Sequence, residues 1–377
     1  MTTVLMNAGP WLPVPPPGYG GIENVVATLV PELRKLGVRV VLASVGTSAL
    51  PVDEHVSVFP DGQFASLQRP YNQVCGIAQA HLNAVVRLLR ERDDIDLVHD
   101  HVEAVGLATL AAMGSDMPPA LHTLHWDLAK HPDLYCNIDG NGRLRVNGVS
   151  AAQLARAPQR LRQHSVGHVH LATPLAVDAE RRPRVAKEDY TLVLGRITPG
   201  KGQHLGARLA HEAGFNLVLA GPIGPYRQPR DLATAENPEQ NPDVRYWREK
   251  VAPYVDGDRV RWIGTLVGRE RDDMVARARA TLFPLHWEEP GGTAVVESLA
   301  LGTPVVALRR GCLPELVEHG RTGLLTDDEN ELADLVLAAG RLDPDECRRE
   351  AARRFAPAVM AQRYIELYEL VQRLATG

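Results

Sequence analysis

Short apolar runs alternate with stretches of helical period along almost the whole chain. Residues 3–7 form a continuous apolar run stopped by Ala8-Gly9-Pro10, which predicts a buried strand and then a loop. Beyond the loop WLPVPPPGYGG, the residues Ile22, Val25, Val26, Leu29, Leu33 and Leu36 recur at helical spacing, and Gly37 closes the helix. Residues 38–44 predict the next strand, and the strand–loop–helix–strand order begins an open parallel sheet. The pattern then predicts a long amphipathic helix over 73–92, a strand over 96–100, a helix over 103–113 and a strand over 120–124. Residues 135–148, YCNIDGNGRLRVNG, alternate around a DGNG turn and predict an inserted hairpin. A basic helix is expected over 153–163.

Periodicity is lost over 173–190, where proline and charge accumulate, and this segment reads as a linker. The alternation then resumes. Strands are predicted at 191–194, 216–220, 260–263 and 280–284, with helices at 204–214 and 269–279. An irregular stretch from Gly221-Pro222 to about residue 242 reads as a mobile loop or lid. After the segment LHWEEPGGTAVVESLALGTPVVA (285–307), residues 313–318 and 320–325 continue the pattern. Three helices are expected at the end, over 329–340, 345–354 and 357–374. The domain expectation is therefore 1–172, a linker 173–190, a second domain 191–356, and a last helix, 357–377, packing near the junction.

A length of 377 residues with 45% hydrophobic positions supports two cores. The net charge of −5 is mild and excludes a general nucleic-acid or membrane-surface binder. Four scattered cysteines include no CxxC, so neither a disulfide framework nor a zinc site is implied. The first residues lack a basic, apolar leader pattern, and no apolar run approaches the ~18 residues of a membrane span. The cytoplasm is the expected compartment.

Candidate chemistry gathers where predicted strands end, the side on which open α/β sheets hold ligands. Gly18, Gly20 and Gly21 follow the first strand, but they do not complete GxGxxG; a flexible turn is the alternative. His125 follows the strand at 120–124 and either lines a site or packs a loop. Arg196 and Lys201 lie in the strand-to-helix loop GRITPGKG, where phosphate contact competes with ordinary surface solvation. In the segment 285–307, Glu289 precedes the glycine turn Gly291-Gly292 and Glu297 lies on the helix after it. Glycines permit close backbone approach and a helix start offers free N–H donors, so this reads as an anion site flanked by two carboxylates. His286 and Trp287 either stack on a ligand or pack the loop. His99 and His101 lie on one side of a strand, but a third metal ligand at usable spacing is lacking, and no metal is expected.

At GYGGIE, HTLHWD, GRITPGKG and EEPGGTAVVE the chain resembles the retaining GT-B glycosyltransferases of family 4, over nearly its whole length. PPPGYGGIE, RVAKEDY and EPGGT also resemble actinomycete members that decorate secondary metabolites. The resemblance implies an α/β fold of two facing Rossmann-like domains with a cleft between them. It implies that Gly20 and Gly21 face a donor diphosphate, that His125 touches the transferred sugar, and that Arg196 and Lys201 clamp the diphosphate. By the same resemblance Glu289 contacts the sugar hydroxyls and Glu297 holds the ribose, while Gly292, Thr293 and Ala294 offer backbone N–H groups. Gly291 and Gly221 are counted with the donor-binding glycines. The implied reaction takes a UDP-, GDP- or dTDP-sugar as co-substrate and a small-molecule or glycan hydroxyl as acceptor, with no cofactor and no metal. No DxD stands in a suitable loop. The family usually has Phe-Gly-Leu where this chain has Gly291-Gly292-Thr293, so donor identity does not carry over. An epimerase or a sugar phosphorylase on the same fold is the alternative, with a non-catalytic sugar-nucleotide binder behind both.

Overall fold

The computed structural model describes residues 2–18, 20–114, 117–140 and 142–376. Tyr19 of the glycine loop and Asn141 of the DGNG turn lie outside the described residues. The chain divides into two compact units, Met1–Ala172 with Pro357–Gly377, and Thr173–Ala356.

The first unit is built on seven parallel strands: β1 (Thr3–Asn7), β2 (Arg39–Ala43), β3 (Glu54–Val56), β4 (Leu97–Asp100), β5 (Ala120–Thr123), β6 (Leu144–Gly148) and β7 (Ser165–His168). Their order is β3-β2-β1-β4-β5-β6-β7. Every residue of β1, β4 and β5 is buried, as expected of parallel strands covered on both faces. The strand order reverses between β1 and β4, which opens a crevice at the carboxyl ends of these two strands. One face of the sheet packs on the helix Gly21–Lys35 and on the last helix, Pro357–Thr376. That last helix also sends two hydroxyls into the core. Tyr368 Oη lies 2.7 Å from His99 Nδ1, and Tyr364 Oη lies 3.2 Å from Thr123 Oγ1.

The second unit holds six parallel strands: β8 (Thr191–Leu194), β9 (Leu217–Ala220), β10 (Val260–Trp262), β11 (Ala280–Phe283), β12 (Val305–Leu308) and β13 (Gly323–Thr326). Their order, β10-β9-β8-β11-β12-β13, reverses between β8 and β11. Both units are thus Rossmann-like. Residues 173–190 belong to the second unit rather than standing apart: Lys187 Nζ donates to Ala276 O and Thr303 Oγ1, both at 2.7 Å.

Three local expectations are corrected. Residues 135–148 are not a hairpin. Pro132 starts a helix, Pro132–Asn137, and the alternating RLRVNG stretch is β6, paired in parallel with β5 and β7. The expected helix over 153–163 is broken by Pro158 into Ala151–Ala155 and Gln159–Gln163, because proline cannot supply the interior N–H. The segment after Gly221 is not irregular throughout. Pro229 and Pro242 each open a short helix, the second capped by Asn241 Oδ1 on the N–H groups of Asp243 and Val244. Residues 313–316 form a helical turn.

Candidate active site

In the second unit the loops after β8 and β11 meet at the reversal of strand order. Leaving β8, the chain crosses Gly195, whose carbonyl oxygen would lie 1.9 Å from a Cβ at Gly221. Gly221 has φ +152°, so its part here is to let the loops after β8 and β9 touch. A 3₁₀ turn, Pro199–Lys201, then leads to Gly202 in the left-handed region, and a Cβ there would lie 1.8 Å from Pro284 O. His286 N donates to Gly200 O at 2.9 Å. Buried Gln203 fixes the loop from within, donating from Nε2 to Arg196 O at 2.8 Å.

This scaffold places Lys201 beside an acid of the β11 loop. Its Nζ donates to Glu289 Oε2 at 2.5 Å and sits 4.8 Å above the Trp287 ring. Trp287 packs the loop, since its Cγ would be 3.5 Å from a Cβ on Gly200. His286 stacks on His204 at 5.3 Å between ring centroids. Both aromatic residues make loop-packing contacts among the described residues. Arg196 points to another partner, with Nη2 3.3 Å from Asp243 Oδ2.

Pro290 and the buried pair Gly291-Gly292 carry the chain into the helix Thr293–Ala300. Gly292 has φ +60°, and a Cβ there would fall 2.6 Å from Leu316 Cδ1. No side chain among the described residues caps the helix, so the N–H groups after Gly292 face outward with the positive end of the dipole. Thr293 is exposed and Ala294 half-buried at this opening. One turn on, Glu297 stands 3.4 Å from Arg271 Nη1. Burial pushes the Glu297 carboxyl upward, and Arg271 pulls it back only in part.

In the first unit the crevice between β1 and β4 is lined by a continuous polar network. Asn7 Nδ2 donates to Asp100 Oδ1 at 2.7 Å, and His81 Nε2 lies 2.7 Å from Asn7 Oδ1. The register that sets Asp100 opposite His122 brings His122 Nδ1 to 2.5 Å from Asp100 Oδ2. On its far side His122 Nε2 is 3.7 Å from Glu103 Oε2. Burial opposes charge on His122, but the two carboxylates outweigh it and lift its pKa to about 9. Glu103 also accepts from the backbone N–H of His125 (3.0 Å) and Trp126 (3.3 Å) and from the Tyr135 hydroxyl (3.2 Å). Burial resists its ionisation, yet His122 and, after it, His125 hold its pKa below the usual range.

His125 is thereby fixed at the carboxyl end of β5, with Nε2 2.9 Å from His101 Nδ1. Burial keeps it neutral, with its pKa down at about 4. Gly20 and Gly21 sit at the start of the helix Gly21–Lys35. A Cβ at Gly20 would lie 2.7 Å from Pro16 Cβ, whereas one at Gly21 meets open space. Burial raises the carboxyl of Glu23, in the first turn of this helix, to about 7. Glu103, Asp100 and His122 hold this network together, a role that the sequence alone does not show. Their signal was the acidic and histidine-rich pair of strand ends, DLVHDHVE and HTLHWD, which become partners only through strand register.

Fold and site define a class: an α/β protein of two Rossmann-like units, the second presenting a cation, two carboxylates and an open helix start at its crevice. The comparisons make the class specific. Residues 19–145 match the description Glycosyltransferase Family 4, and residues 177–355 match Glycosyl transferases group 1. A D-inositol 3-phosphate glycosyltransferase of Pseudarthrobacter chlorophenolicus is 26% identical over 346 residues, covering 84% of this chain and 81% of the relative. Among solved structures, AviGT4, a glycosyltransferase involved in avilamycin A biosynthesis, is 29% identical with a TM-score of 0.63 and coverage of 100% and 99%. Anabaena HepE in complex with UDP-glucose is alike in fold, at 17% identity, TM-score 0.63 and coverage of 98% and 100%. The chain belongs to the group 1, family 4 glycosyltransferases and has the GT-B fold.

Proposed function

We propose that this glycosyltransferase is retaining and metal-independent, and that it moves a sugar from a nucleotide-diphosphate sugar to a hydroxyl acceptor. The observation that carries the reading is Lys201 held between Glu289 and Trp287 beside the open start of the helix Thr293–Ala300. As the glycosidic bond breaks, negative charge grows on the leaving diphosphate. A fixed ammonium and free backbone N–H groups stabilise such charge without a bound metal. In this reading Arg196 exchanges its ion pair with Asp243 for a phosphate oxygen. Glu289 takes the sugar hydroxyls and Glu297 the ribose hydroxyls, while Gly20, Gly21 and His125 serve from the acceptor-binding unit, residues 1–172. Support for retention comes from the resemblance of EEPGGTAVVE, with Glu289 and Glu297, to the retaining members of the family. The leaving diphosphate oxygen accepts the acceptor's proton on the face it departs from, so no separate nucleophile is required. UDP-glucose bound by HepE makes a UDP-sugar the first donor to try, with GDP- and dTDP-sugars beside it.

Membership of the family favours transfer over the epimerase and phosphorylase alternatives. No helix among the described residues is long and apolar enough to cross a membrane, and the cytoplasm is the proposed compartment. The test is thermal unfolding with UDP-, GDP- and dTDP-glucose. A donor at a hundred times its Kd stabilises the folded protein by about 2.7 kcal/mol. If none of the three raises the melting temperature and none is consumed with sugar or polyol acceptors, the reading fails.

A further inference from the structure

We propose that His101 is a positioning residue that fixes the tautomer of His125, so that His125 presents an N–H donor from Nδ1. His101 follows β4 and His125 follows β5, adjacent strands whose register pairs Asp100 with His122. This brings His101 Nδ1 to 2.9 Å from His125 Nε2, with the rings stacked at 5.2 Å between centroids. Burial holds both rings neutral near pH 7. Two neutral imidazoles joined in this way place one proton between them, and two arrangements exist.

In the first arrangement His125 Nε2–H donates to His101 Nδ1. His101 then carries its own proton at Nε2. That atom is fully buried and has no hydrogen-bond partner among the described residues, so an N–H donor would be stranded there. In the second, His101 Nδ1–H donates to His125 Nε2, and only a lone pair on His101 Nε2 is left unpaired. Stranded buried N–H groups are rarer in folded proteins than under-used acceptors, and an unmet donor costs about 1–3 kcal/mol. The second arrangement wins. His125 then carries its proton on Nδ1, which makes no hydrogen bond to the described residues. The neighbouring His99 does not compete, since both its nitrogens are engaged, by Tyr368 and Thr123. His125 is thus a neutral donor at Nδ1, not a base there. That this donor meets a sugar oxygen rests on the proposed function; the tautomer does not.

The experiment is a long-range ¹H–¹⁵N correlation spectrum of the full chain labelled with ¹⁵N-histidine, with His125 assigned by its loss in His125→Gln. At pH 7.5 the proton is expected on His125 Nδ1, in excess over Nε2 by about tenfold or more. His101→Asn keeps an amide N–H near the place of Nδ1–H and keeps the Nδ1–H form. His101→Leu removes the donor and shifts His125 toward the Nε2–H form. A proton on Nε2 in the unmodified protein, or an unchanged tautomer in His101→Leu, overturns the inference. If His101→Leu does not fold, the spectrum of the unmodified protein decides alone. This readout uses no donor, so its failure is distinct from failure of the donor screen.

Discussion

Replacing Lys201 by alanine separates the work of that side chain in the fold from its proposed work in the reaction. The ammonium is about one-third exposed, and its partner Glu289 somewhat less. An ion pair so placed contributes roughly 0.2–1 kcal/mol to stability, and the contact with the Trp287 ring adds about 0.5–1 kcal/mol. Lys201→Ala is therefore expected to cost about 1–2 kcal/mol, read as a fall of roughly 2–8 °C in melting temperature for a unit of this size. The rate is expected to fall much further. Losing one fixed donor to developing anionic charge costs about 10²–10³ in kcat, or roughly 2.7–4 kcal/mol. Release of the nucleoside diphosphate from the donor found by thermal screening measures the rate, and urea unfolding measures the stability. Turnover within threefold of the unmodified enzyme refutes the diphosphate role. A stability loss large enough to unfold the protein at the assay temperature refutes the division between fold and reaction. Lys201→Arg, which keeps charge but changes reach and shape, is expected to recover only part of the rate.

Glu297→Gln is expected to raise KM for the donor by about 10–100-fold with a smaller change in kcat, since a charged hydrogen bond to ribose is worth about 1.5–3 kcal/mol; an unchanged KM in steady-state assays removes Glu297 from the donor site. Gly202→Ala forces a left-handed residue with its Cβ against the Pro284 carbonyl, and is expected to destabilise the protein by about 2 kcal/mol or more in urea unfolding. Gly21→Ala meets open space and is expected to leave the melting temperature within about 2 °C while raising donor KM; unchanged kinetics would argue against close backbone approach there. Burial lowers the pKa of His81 to about 4, against an ordinary value near 6.5, so the unfolded chain binds its proton first as pH falls. Stability that is full above pH 6.5 is then lost toward pH 4, by about 1.4 kcal/mol per pH unit from this group. His81→Gln should reduce that slope in urea titrations at pH 7 and pH 5, and parallel slopes would count against the assignment. His122 acts in the opposite window: its contribution is whole below pH 6.5 and fades as pH rises to about 9.

The sequence makes the central strands legible because parallel strands buried on both faces read as unbroken apolar runs. β1, β8 and β11 are of this kind. Edge strands are not: β3 and β7 are short and half-exposed, with Glu54, His55 and His168 among their residues. β6 was visible as a strand, but alternation reports the faces of a strand and not the direction of its partner, so it was read as half of a hairpin. Site residues near their own glycine turns, Lys201 and Glu289 among them, were legible in one dimension. The pairing of Lys201 with Glu289 rather than Arg196 was not, because it depends on how the β8 and β11 loops interlock at Gly200 and Gly202. Arg271 was hidden in the charged run RERDD, where nothing separates the one guanidinium facing Glu297 from its solvated neighbours.

The last helix, Pro357–Thr376, completes the first unit, and its tyrosines reach into that unit's sheet. The unit built from residues 1–172 is therefore finished only when residues 357–376 arrive. On a ribosome, residues 173–356 are all made while Met360, Tyr364, Tyr368 and Val371 are still missing from the earlier core. The sheet of residues 173–356 can close from a contiguous stretch, but the first sheet must keep one face open until residues 357–376 are made. A nascent chain of this enzyme carries its vulnerable apolar surface on the unit of residues 1–172, and loss of the helix Pro357–Thr376 would injure that unit rather than the one next to it in sequence.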